Sequence, residues 1–294
     1  MTSGIVNVLK PPGLTSHDAV ARIRRIYGEK KVGHAGTLDP DAAGVLPVFI
    51  GKATRLLEYV SVGTKGYRGT GILGVRTDTG DDSGNVLERM PANITEEQMN
   101  QALQQFRGKI SQVPPMYSAL KIQGKKLYEY ARQGLVLERA ARTVEIISLS
   151  QVYFRNPYFC IDVECSKGTY IRTLLEDIAA SVGTCACMLF LLRTKAGDFT
   201  IEDSFTLEEI ETDPDAALLP PETAVTRLPV ITVNELQAYR ITNGVKTTVQ
   251  GTAPGQYRLN YGNMFLGVVS VENEIIKPEK ILVQINGNVD QLKH

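Results

Sequence analysis

Tryptophan is absent from this sequence, and cysteine and histidine are scarce: the 294 residues include no Trp, four Cys and three His. The spacing of the cysteines does not match paired zinc knuckles, so we expect no metal site. One of them lies in the apolar run at residues 158–161, as is typical of a reduced, buried thiol in a cytosolic protein. The four cysteines are Cys160, Cys165, Cys185 and Cys187.

Long apolar runs and a targeting segment are also missing. No run approaches the roughly 18 apolar residues of a membrane-spanning helix. The first five residues lack a basic region followed by an apolar core, so we expect a cytoplasmic protein without a secretion signal. Hydrophobic content of 43% and charged content of 22% are ordinary for a globular protein. The length predicts one large domain and one small domain.

A net charge of zero hides two segments of opposite charge. Residues 121–142 carry six basic and two acidic side chains, whereas residues 202–215 carry seven acidic side chains and no basic one. A local basic patch of the first kind is what the phosphate backbone of a nucleic acid attracts. The sequence therefore leaves RNA or DNA binding open despite its neutral balance.

The stretch from Gly33 to Pro47 is unusual because it is irregular in composition and yet apolar. Three glycines and two prolines in it predict neither a regular helix nor a central strand. Its small and apolar side chains predict a buried segment; they are Ala35, Leu38, Ala42, Ala43, Val45 and Leu46. Pro40 holds Asp39 out of the helical region, so the loop aims that carboxylate. On composition alone, an ordinary Asp-Pro turn is an equal alternative.

Hydrophobic periodicity and capping signals place the regular elements around this loop. They predict a strand over 4–9, a helix capped by Ser16 and ending at Gly28, a helix from Thr95 to Gly108, a hairpin of residues 144–154 and 158–165, and a helix from Tyr170 to Gly183. From about Val225, short β-prone pieces separated by glycine, asparagine and proline predict a small β-rich module.

Three residues are candidates for chemistry: a carboxylate on the rigid loop (Asp39), a tyrosine on a glycine-rich strand (Tyr67) and an arginine at a helix start (Arg172). An aspartate beside an arginine stays ionised, and in an apolar pocket it can act as a nucleophile or a base. The sequence contains no Ser-His-Asp pattern, phosphate-binding loop, dinucleotide fingerprint or zinc signature. We therefore expect the protein to work without a cofactor.

Seven blocks of the sequence resemble the bacterial tRNA pseudouridine-55 synthase (TruB) family. In chain order they are Lys10–Ser16, Gly33–Leu46, Lys65–Tyr67, Arg76–Thr79, Pro115–Lys121, Gly124–Gly134 and Ser166–Arg172. The resemblance implies an α+β fold whose catalytic domain, residues 1–223, is built on a mixed, largely antiparallel sheet. It also implies an RNA-clasping insertion at about 115–143 and a PUA-like RNA-binding module at 224–294.

The same resemblance implies the function: isomerisation of uridine-55 in the tRNA T-loop to pseudouridine, by a monomer that flips the base and needs no metal. Asp39 would be the essential carboxylate, Tyr67 would stack on the base and assist at its C5, and Arg172 would pair with Asp39. Supporting roles fall to Asp81, which would hold Arg172, to His34, which would fill the space left by the base, to Lys10 and Tyr170 at the pocket wall, and to Lys121, Lys125 and Lys126 on the clasp.

Two other functions stay open at this stage. A tRNA-binding or folding chaperone would need the clasp and the module but not Asp39. A glycosidase would need a second catalytic carboxylate paired with Asp39, and Asp41 and Asp81 are the candidates for it, although no motif places either in that role. The sequence also leaves open whether Asp39 attacks the ribose, attacks the base or removes a proton. Three residues depart from the family pattern: Leu9, Cys187 and Leu192. None of them is a catalytic candidate, so the features that they affect are the contacts to RNA.

Overall fold

The computed structural model describes residues 2–118 and 120–285 of the chain. The strands are β1 (Gly4–Lys10), β2 (Val32–His34), β3 (Ala43–Ile50), β4 (Lys65–Leu73), β5 (Val75–Thr77), β6 (Val86–Arg89), β7 (Gly108–Gln112), β8 (Lys121–Ile122), β9 (Lys125–Lys126), β10 (Arg142–Arg155), β11 (Tyr158–Cys165), β12 (Ala186–Ala196), β13 (Phe199–Thr200), β14 (Val230–Val233), β15 (Thr247–Thr248), β16 (Gly255–Tyr261), β17 (Met264–Glu272) and β18 (Ile275–Ile281). The helices are α1 (Ser16–Tyr27), α2 (Leu57–Ser61), α3 (Glu96–Gln105), α4 (Leu127–Ala131), α5 (Ile171–Ser181), α6 (Leu207–Thr212) and α7 (Glu235–Thr242). Short 3-10 helices cover Gly51–Leu56 and Pro221–Val225. None of these described helices has the length and apolar character needed to cross a membrane.

A nine-stranded sheet in the order β1-β3-β12-β4-β11-β10-β7 organises the larger part of the molecule. At its margins β2 pairs with β3 and β13 pairs with β12. The contact between β3 and β12 is parallel, and the other pairings of this sheet are antiparallel. The predicted mixed, largely antiparallel sheet is therefore confirmed, and so is the hairpin formed by β10 and β11.

Helices α3 and α5 cover one face of this sheet, as their apolar stripes predict. Met99 of α3 and Leu174 and Ile178 of α5 are fully buried in one cluster with Ile161 of β11. Burial of such a side chain stabilises the fold by about 1.5–3 kcal/mol. This packing fixes the start of α5, where Arg172 lies.

Helix α1 begins as predicted, but its capping residue is Thr15 rather than Ser16. The Thr15 hydroxyl accepts from the Asp18 amide at 3.1 Å, and the Asp18 carboxylate accepts from the Thr15 amide at 3.0 Å. Ser16 is turned inward instead, where its hydroxyl accepts from the Leu38 amide at 2.9 Å and donates to the Leu38 carbonyl at 3.2 Å. The prediction was wrong because a neighbouring threonine supplies the same cap and leaves Ser16 for a tertiary contact.

The apolar side chains of the Gly33–Pro47 segment are buried as predicted, but its second half is a central strand. Strand β3 lies between β1 and β12 and contains both Gly44 and Pro47. Gly44 has a φ of 115°, and a Cβ there would lie 2.2 Å from the Arg193 carbonyl oxygen. Within β3, Pro47 follows the residues that pair with β12 and precedes the residues that pair with β2. Proline has no amide proton, and at this position neither of these two pairings needs one.

Strand β12 was not predicted, and it lies at the centre of the sheet. It pairs with β4 along most of its length and with β3 at Leu192 and Arg193. A buried strand reads as a short apolar run, which periodicity alone does not separate from a helix. The four cysteines are free and buried, as predicted.

The C-terminal part forms a second, five-stranded sheet in the order β14-β16-β17-β18-β15, with α7 packed against it. This confirms the β-rich character of the tail, although α7 was not predicted. A shared hydrophobic cluster joins the tail to the larger sheet, with Phe265 and Val268 packed among the same buried residues as Ile5 and Phe49. A domain boundary at 223/224 stays a prediction, and residues 286–294 of the predicted module lie outside the described residues.

Candidate active site

Asp39 faces a cavity of about 540 Å³ between the first sheet and the segment that follows β7. Its side chain is 48% exposed, so the carboxylate can meet a ligand in the cavity. The loop beneath it is held from several sides. The Lys10 ammonium donates to the Pro40 carbonyl at 3.0 Å, and Ser16 holds both polar groups of the Leu38 backbone. Asp39 is therefore placed by backbone contacts on each side of it.

Arg172 grips Asp39 from the start of α5 and is only 8% exposed. Its Nη2 lies 3.2 Å from Asp39 Oδ2, and its Nη1 lies 3.2 Å from Asp81 Oδ2. The two nitrogens also donate to the carbonyls of Thr79 at 2.8 Å and Tyr117 at 2.7 Å. The planar guanidinium thus joins four chain segments, a geometry that a lysine cannot reproduce. The contacts predicted among Asp39, Arg172 and Asp81 are present in the structure.

Asp81 is itself oriented by the tight turn that carries it. Its Oδ1 accepts from the Thr79 hydroxyl at 2.7 Å and from the Ser83 hydroxyl at 2.6 Å. Gly80 in this turn has a φ of 75°, which favours glycine. Its close packing against Glu176 of α5 leaves little room for a larger residue. The turn therefore presents Oδ2 of Asp81 to Arg172 in a fixed direction.

Arg193 supports the Asp39 loop through buried contacts that the sequence did not predict. It is 1% exposed, and its guanidinium donates to the carbonyls of Val45 at 2.7 Å, Gly36 at 3.1 Å and Thr37 at 3.4 Å. A buried guanidinium is costly unless its donors are satisfied, and here the Asp39 loop satisfies them. The signal was present as a single cation that directly follows the apolar run at residues 188–192.

Tyr67 lies opposite Arg193 in the register of β4 and β12. Burial raises the pKa of the Tyr67 phenol, and the adjacent Arg193 guanidinium, which is hydrogen-bonded to it, opposes that rise. Tyr67 packs against the main hydrophobic cluster. Tyr67 is not among the described residues that line the cavity.

Two histidines, His17 and His34, line the cavity. The rings of His17 and His34 meet edge to face, with centroids 6.0 Å apart. Burial lowers the pKa of His34, so its imidazole is neutral at neutral pH. The role that the resemblance implies for His34, filling the space left by the base, stays a prediction.

Lys10 and Tyr170 have positions different from those that the resemblance implies. Lys10 is fully buried behind the loop, and its ammonium also donates to the carbonyls of Pro11 and Leu14 at 2.7 Å each. Burial lowers its pKa to about 8. Tyr170 lies under the Arg142 guanidinium, 4.7 Å from the ring centroid, and its backbone is held by Gln112. Both residues brace the site rather than form the cavity wall.

The basic segment forms a hairpin and a short helix over the cavity. Lys121 pairs with Lys126 across β8 and β9, and of the three predicted lysines Lys126 reaches the cavity wall. The Tyr128 ring lies between two cations, with Lys126 Nζ at 5.4 Å and the Arg132 guanidinium at 5.4 Å from its centroid. Lys121 and Lys125 are exposed on the outer side. The cavity therefore has a basic, aromatic side and an acidic side at Asp81.

The arrangement supplies one carboxylate that an arginine holds, a half-buried tyrosine in the same sheet, and cationic side chains from the basic segment on one side of the cavity. Within residues 2–118 and 120–285, no group of three or more His, Cys, Asp and Glu side chains is arranged to hold a metal ion. The carboxylate can act as a nucleophile or a base on a ligand whose charged parts face the cations.

The same fold occurs in a solved structure of a Cbf5-Nop10-Gar1 complex. The similarity covers 96% of this chain and 85% of the matched chain, with a TM-score of 0.74 and 24% sequence identity. The class of the fold, a mixed sheet with a smaller C-terminal unit, is therefore shared with a known protein.

Sequence comparison then places the chain more narrowly. Residues 24–171 match the family described as TruB family pseudouridylate synthase, N-terminal domain, and residues 172–226 match the tRNA pseudouridylate synthase B C-terminal domain. The tRNA pseudouridine synthase B of Caldanaerobacter subterraneus subsp. tengcongensis is 44% identical, covering 95% of this chain and 98% of that protein. That of Moorella thermoacetica is 51% identical, covering 83% of each. The chain belongs to the TruB family of pseudouridylate synthases.

Proposed function

We propose that this protein is a tRNA pseudouridine synthase that isomerises uridine-55 of the T-loop, with Asp39 as the catalytic residue. The observation that carries the proposal is the placement of Asp39 in the cavity. The Arg172 guanidinium lies 3.2 Å from the Asp39 carboxylate and 3.2 Å from the Asp81 carboxylate. Family membership makes uridine isomerisation the reaction to assign to that carboxylate.

The reaction breaks the bond between N1 of uracil and C1′ of the ribose, turns the uracil, and joins its C5 to C1′. The proton on C5 leaves and N1 gains one, so atoms and charge balance without an added reactant. Asp39 acts at the reacting uridine as a nucleophile or a base. In this proposal the ring of Tyr67 stacks on the uracil, and its phenol, which is hydrogen-bonded to Arg193, assists at C5.

A uridine in a folded loop reaches Asp39 only after it leaves its stack, which costs a few kcal/mol. His34 lines the cavity and is positioned to stack in the space that the uridine leaves, which offsets part of this cost. Lys121, Lys125 and Lys126, with Arg132, hold phosphates of the RNA arm from above. As the family resemblance implies, we propose that the protein acts as a monomer in the cytoplasm and without a metal.

Tritium release from tRNA labelled at C5 of uridine tests this function and separates it from its rivals. The isomerase releases the label into water and leaves the base attached to the ribose. A chaperone would bind the same tRNA and release no tritium, and a glycosidase would release labelled uracil. Tritium in water with the label mapped to the T-loop uridine is the expected result. Its absence with folded tRNA and active protein would reject the proposal.

A further inference from the structure

Phe190 is an exposed aromatic side chain in the wall of the active-site cavity. It is 43% exposed, while its neighbours Met188 and Leu191 on β12 are 6% and 8% exposed. All three line the cavity with Leu189. A large apolar ring open to water inside a catalytic cavity has an unfavourable hydration free energy until a ligand covers it.

A β-bulge lies directly before Phe190 and separates it from the buried face of Met188. Met188 pairs with Gly71 of β4 and Phe190 pairs with the next residue, Thr70, so Leu189 is an extra residue. Without the bulge, Phe190 would share the buried face of Met188, because side chains two residues apart point to the same side of a strand. Bulges often re-aim a side chain beside an active site.

The bulged segment is also fixed to the acidic turn of the site. The Met188 amide donates to the Gly80 carbonyl at 3.0 Å, and the Asp82 amide donates to the Met188 carbonyl at 3.0 Å. Phe190 is therefore two residues from a backbone pairing that also positions Asp81. Its backbone is held in place before any ligand arrives.

The charges around Phe190 define what kind of group it can accept. Asp81 and Asp82 carry carboxylates on its side of the cavity, whereas Lys126 and Arg132 lie on the clasp side. A phosphate is repelled by carboxylates and attracted by the clasp. An uncharged, flat nucleobase fits an aromatic ring beside carboxylates, since base–aromatic stacking needs no cation.

We propose that Phe190 is a stacking platform for a nucleobase of the RNA loop other than the target uridine. The target belongs deeper, at Asp39 and Tyr67, while Phe190 is open at the cavity wall. The inference rests on the proposed function and adds a residue that positions the substrate. Stacking on one aromatic ring contributes about 1–3 kcal/mol per base, which corresponds to a factor of roughly 5–150 in affinity.

Four variants of the full chain test this role: Phe190→Ala, Phe190→Tyr, Phe190→Leu and, as a control, Tyr158→Ala. Tyr158 is 45% exposed on β11 and lies outside the cavity wall, so its variant removes a similar exposed ring from another surface. The substrate is a T-arm stem-loop carrying 2-aminopurine at one loop position at a time, never at the target. Single-turnover rates over a range of enzyme concentrations give the affinity and the limiting rate separately.

We expect Phe190→Ala to weaken affinity by about 5–150-fold and to change the limiting rate by less than about threefold. Phe190→Tyr should bind as tightly as wild type, and Phe190→Leu should keep only part of that affinity. The control Tyr158→Ala should match wild type. One 2-aminopurine position should be quenched by wild type and by Phe190→Tyr but not by Phe190→Ala. Unchanged affinity and quenching in Phe190→Ala would overturn the proposal. If wild type releases no tritium, the proposed function fails, and the quenching data still decide whether Phe190 stacks.

Discussion

Arg172 shows at the scale of one residue how the site is held together. Its guanidinium contacts the carboxylates of Asp39 and Asp81 and donates to the Thr79 and Tyr117 carbonyls. Charge alone would not require this geometry, because an aspartate in water is already ionised at neutral pH. From these four contacts we predict that Arg172 aims the Asp39 carboxylate rather than merely keeping it charged.

Replacing Arg172 by lysine separates aiming from charge. Lysine keeps the positive charge but has one ammonium, which cannot hold both carboxylates and both carbonyls. We expect the single-turnover rate at saturating enzyme to fall by about 100-fold, since small displacements of a reacting group have effects of that size. The loss should persist across the pH profile of that rate. A rate that returns to wild type above about pH 6 would leave Arg172 a purely electrostatic role.

Glu176, one helical turn after Arg172 on α5, gives a pH-dependent contribution to stability. Burial raises its pKa from 4.5 to about 7, Asp177 adds to the rise, and Arg172 and Arg76 oppose it. The folded state therefore binds more protons than the unfolded state between those two values. The stability that protonated Glu176 contributes is fully present below about pH 4.5 and is lost as the pH rises through about 7.

Thermal unfolding of Glu176→Gln against wild type measures this contribution. The melting temperature of the variant, relative to wild type, should rise between about pH 5 and about pH 8, because glutamine has no charge to bury. Glu202→Gln, at an exposed position, is the matched control and should give a constant difference. A constant difference for Glu176→Gln as well would show that its carboxylate is not linked to folding in this range.

The residue-scale contacts were only partly predictable. The sequence blocks contain Asp39 and Arg172, and the family resemblance implied Asp81 as the partner of Arg172. Ser16, Lys10 and Arg193 act through backbone atoms of the Asp39 loop, up to 157 residues away in the chain. Such contacts depend on which strands become neighbours, and β12 was itself unpredicted. The tertiary role of these polar side chains could not be deduced from local pattern.

Among the elements, the basic hairpin and the helix that follows it show which of the three predicted lysines lines the cavity: Lys126. Two-residue strands β8 and β9 are joined at Gln123 and Gly124, both with positive φ, as a tight hairpin turn requires. This turn brings Lys121 and Lys126 together across the hairpin. Capping boxes and apolar periodicity predicted α1, α3 and α5 because their signals are local. The central strands β3 and β12 escaped because glycine, proline and arginine are accommodated there by tertiary contacts.

Neutralising Lys121, Lys125 and Lys126 together tests the clasp. The triple glutamine variant should bind the T-arm more weakly, and its slope of log affinity against log salt should fall by about two to three units if all three meet phosphates. The triple arginine variant keeps the charges and should retain the wild-type slope. An unchanged slope in the glutamine variant would show that this surface is merely solvated.

At the scale of the whole molecule, the nine-stranded sheet and the C-terminal tail share one hydrophobic cluster. Phe265 and Val268 of β17 and Leu282 pack with Ile5 of β1 and Phe49 of β3. The tail is therefore supported by the sheet whose other strands carry Tyr67 and Arg193. The composition shift near residue 225 predicted a β-rich tail, but a change in composition gives no information about the surface by which two units pack. The shared cluster became visible only with the fold.

The measurement that tests the central claim most directly compares wild type and Asp39→Asn in tritium release and in tRNA binding. The carboxylate is 48% exposed and its loop is held by other contacts, so the variant should fold and bind tRNA within a few-fold of wild type. Asparagine provides neither a nucleophile nor a base. We predict a single-turnover rate below about one per cent of wild type, since such groups contribute about 10²–10⁴-fold. A variant that binds normally and keeps more than that rate would contradict the assignment of Asp39 as the catalytic residue.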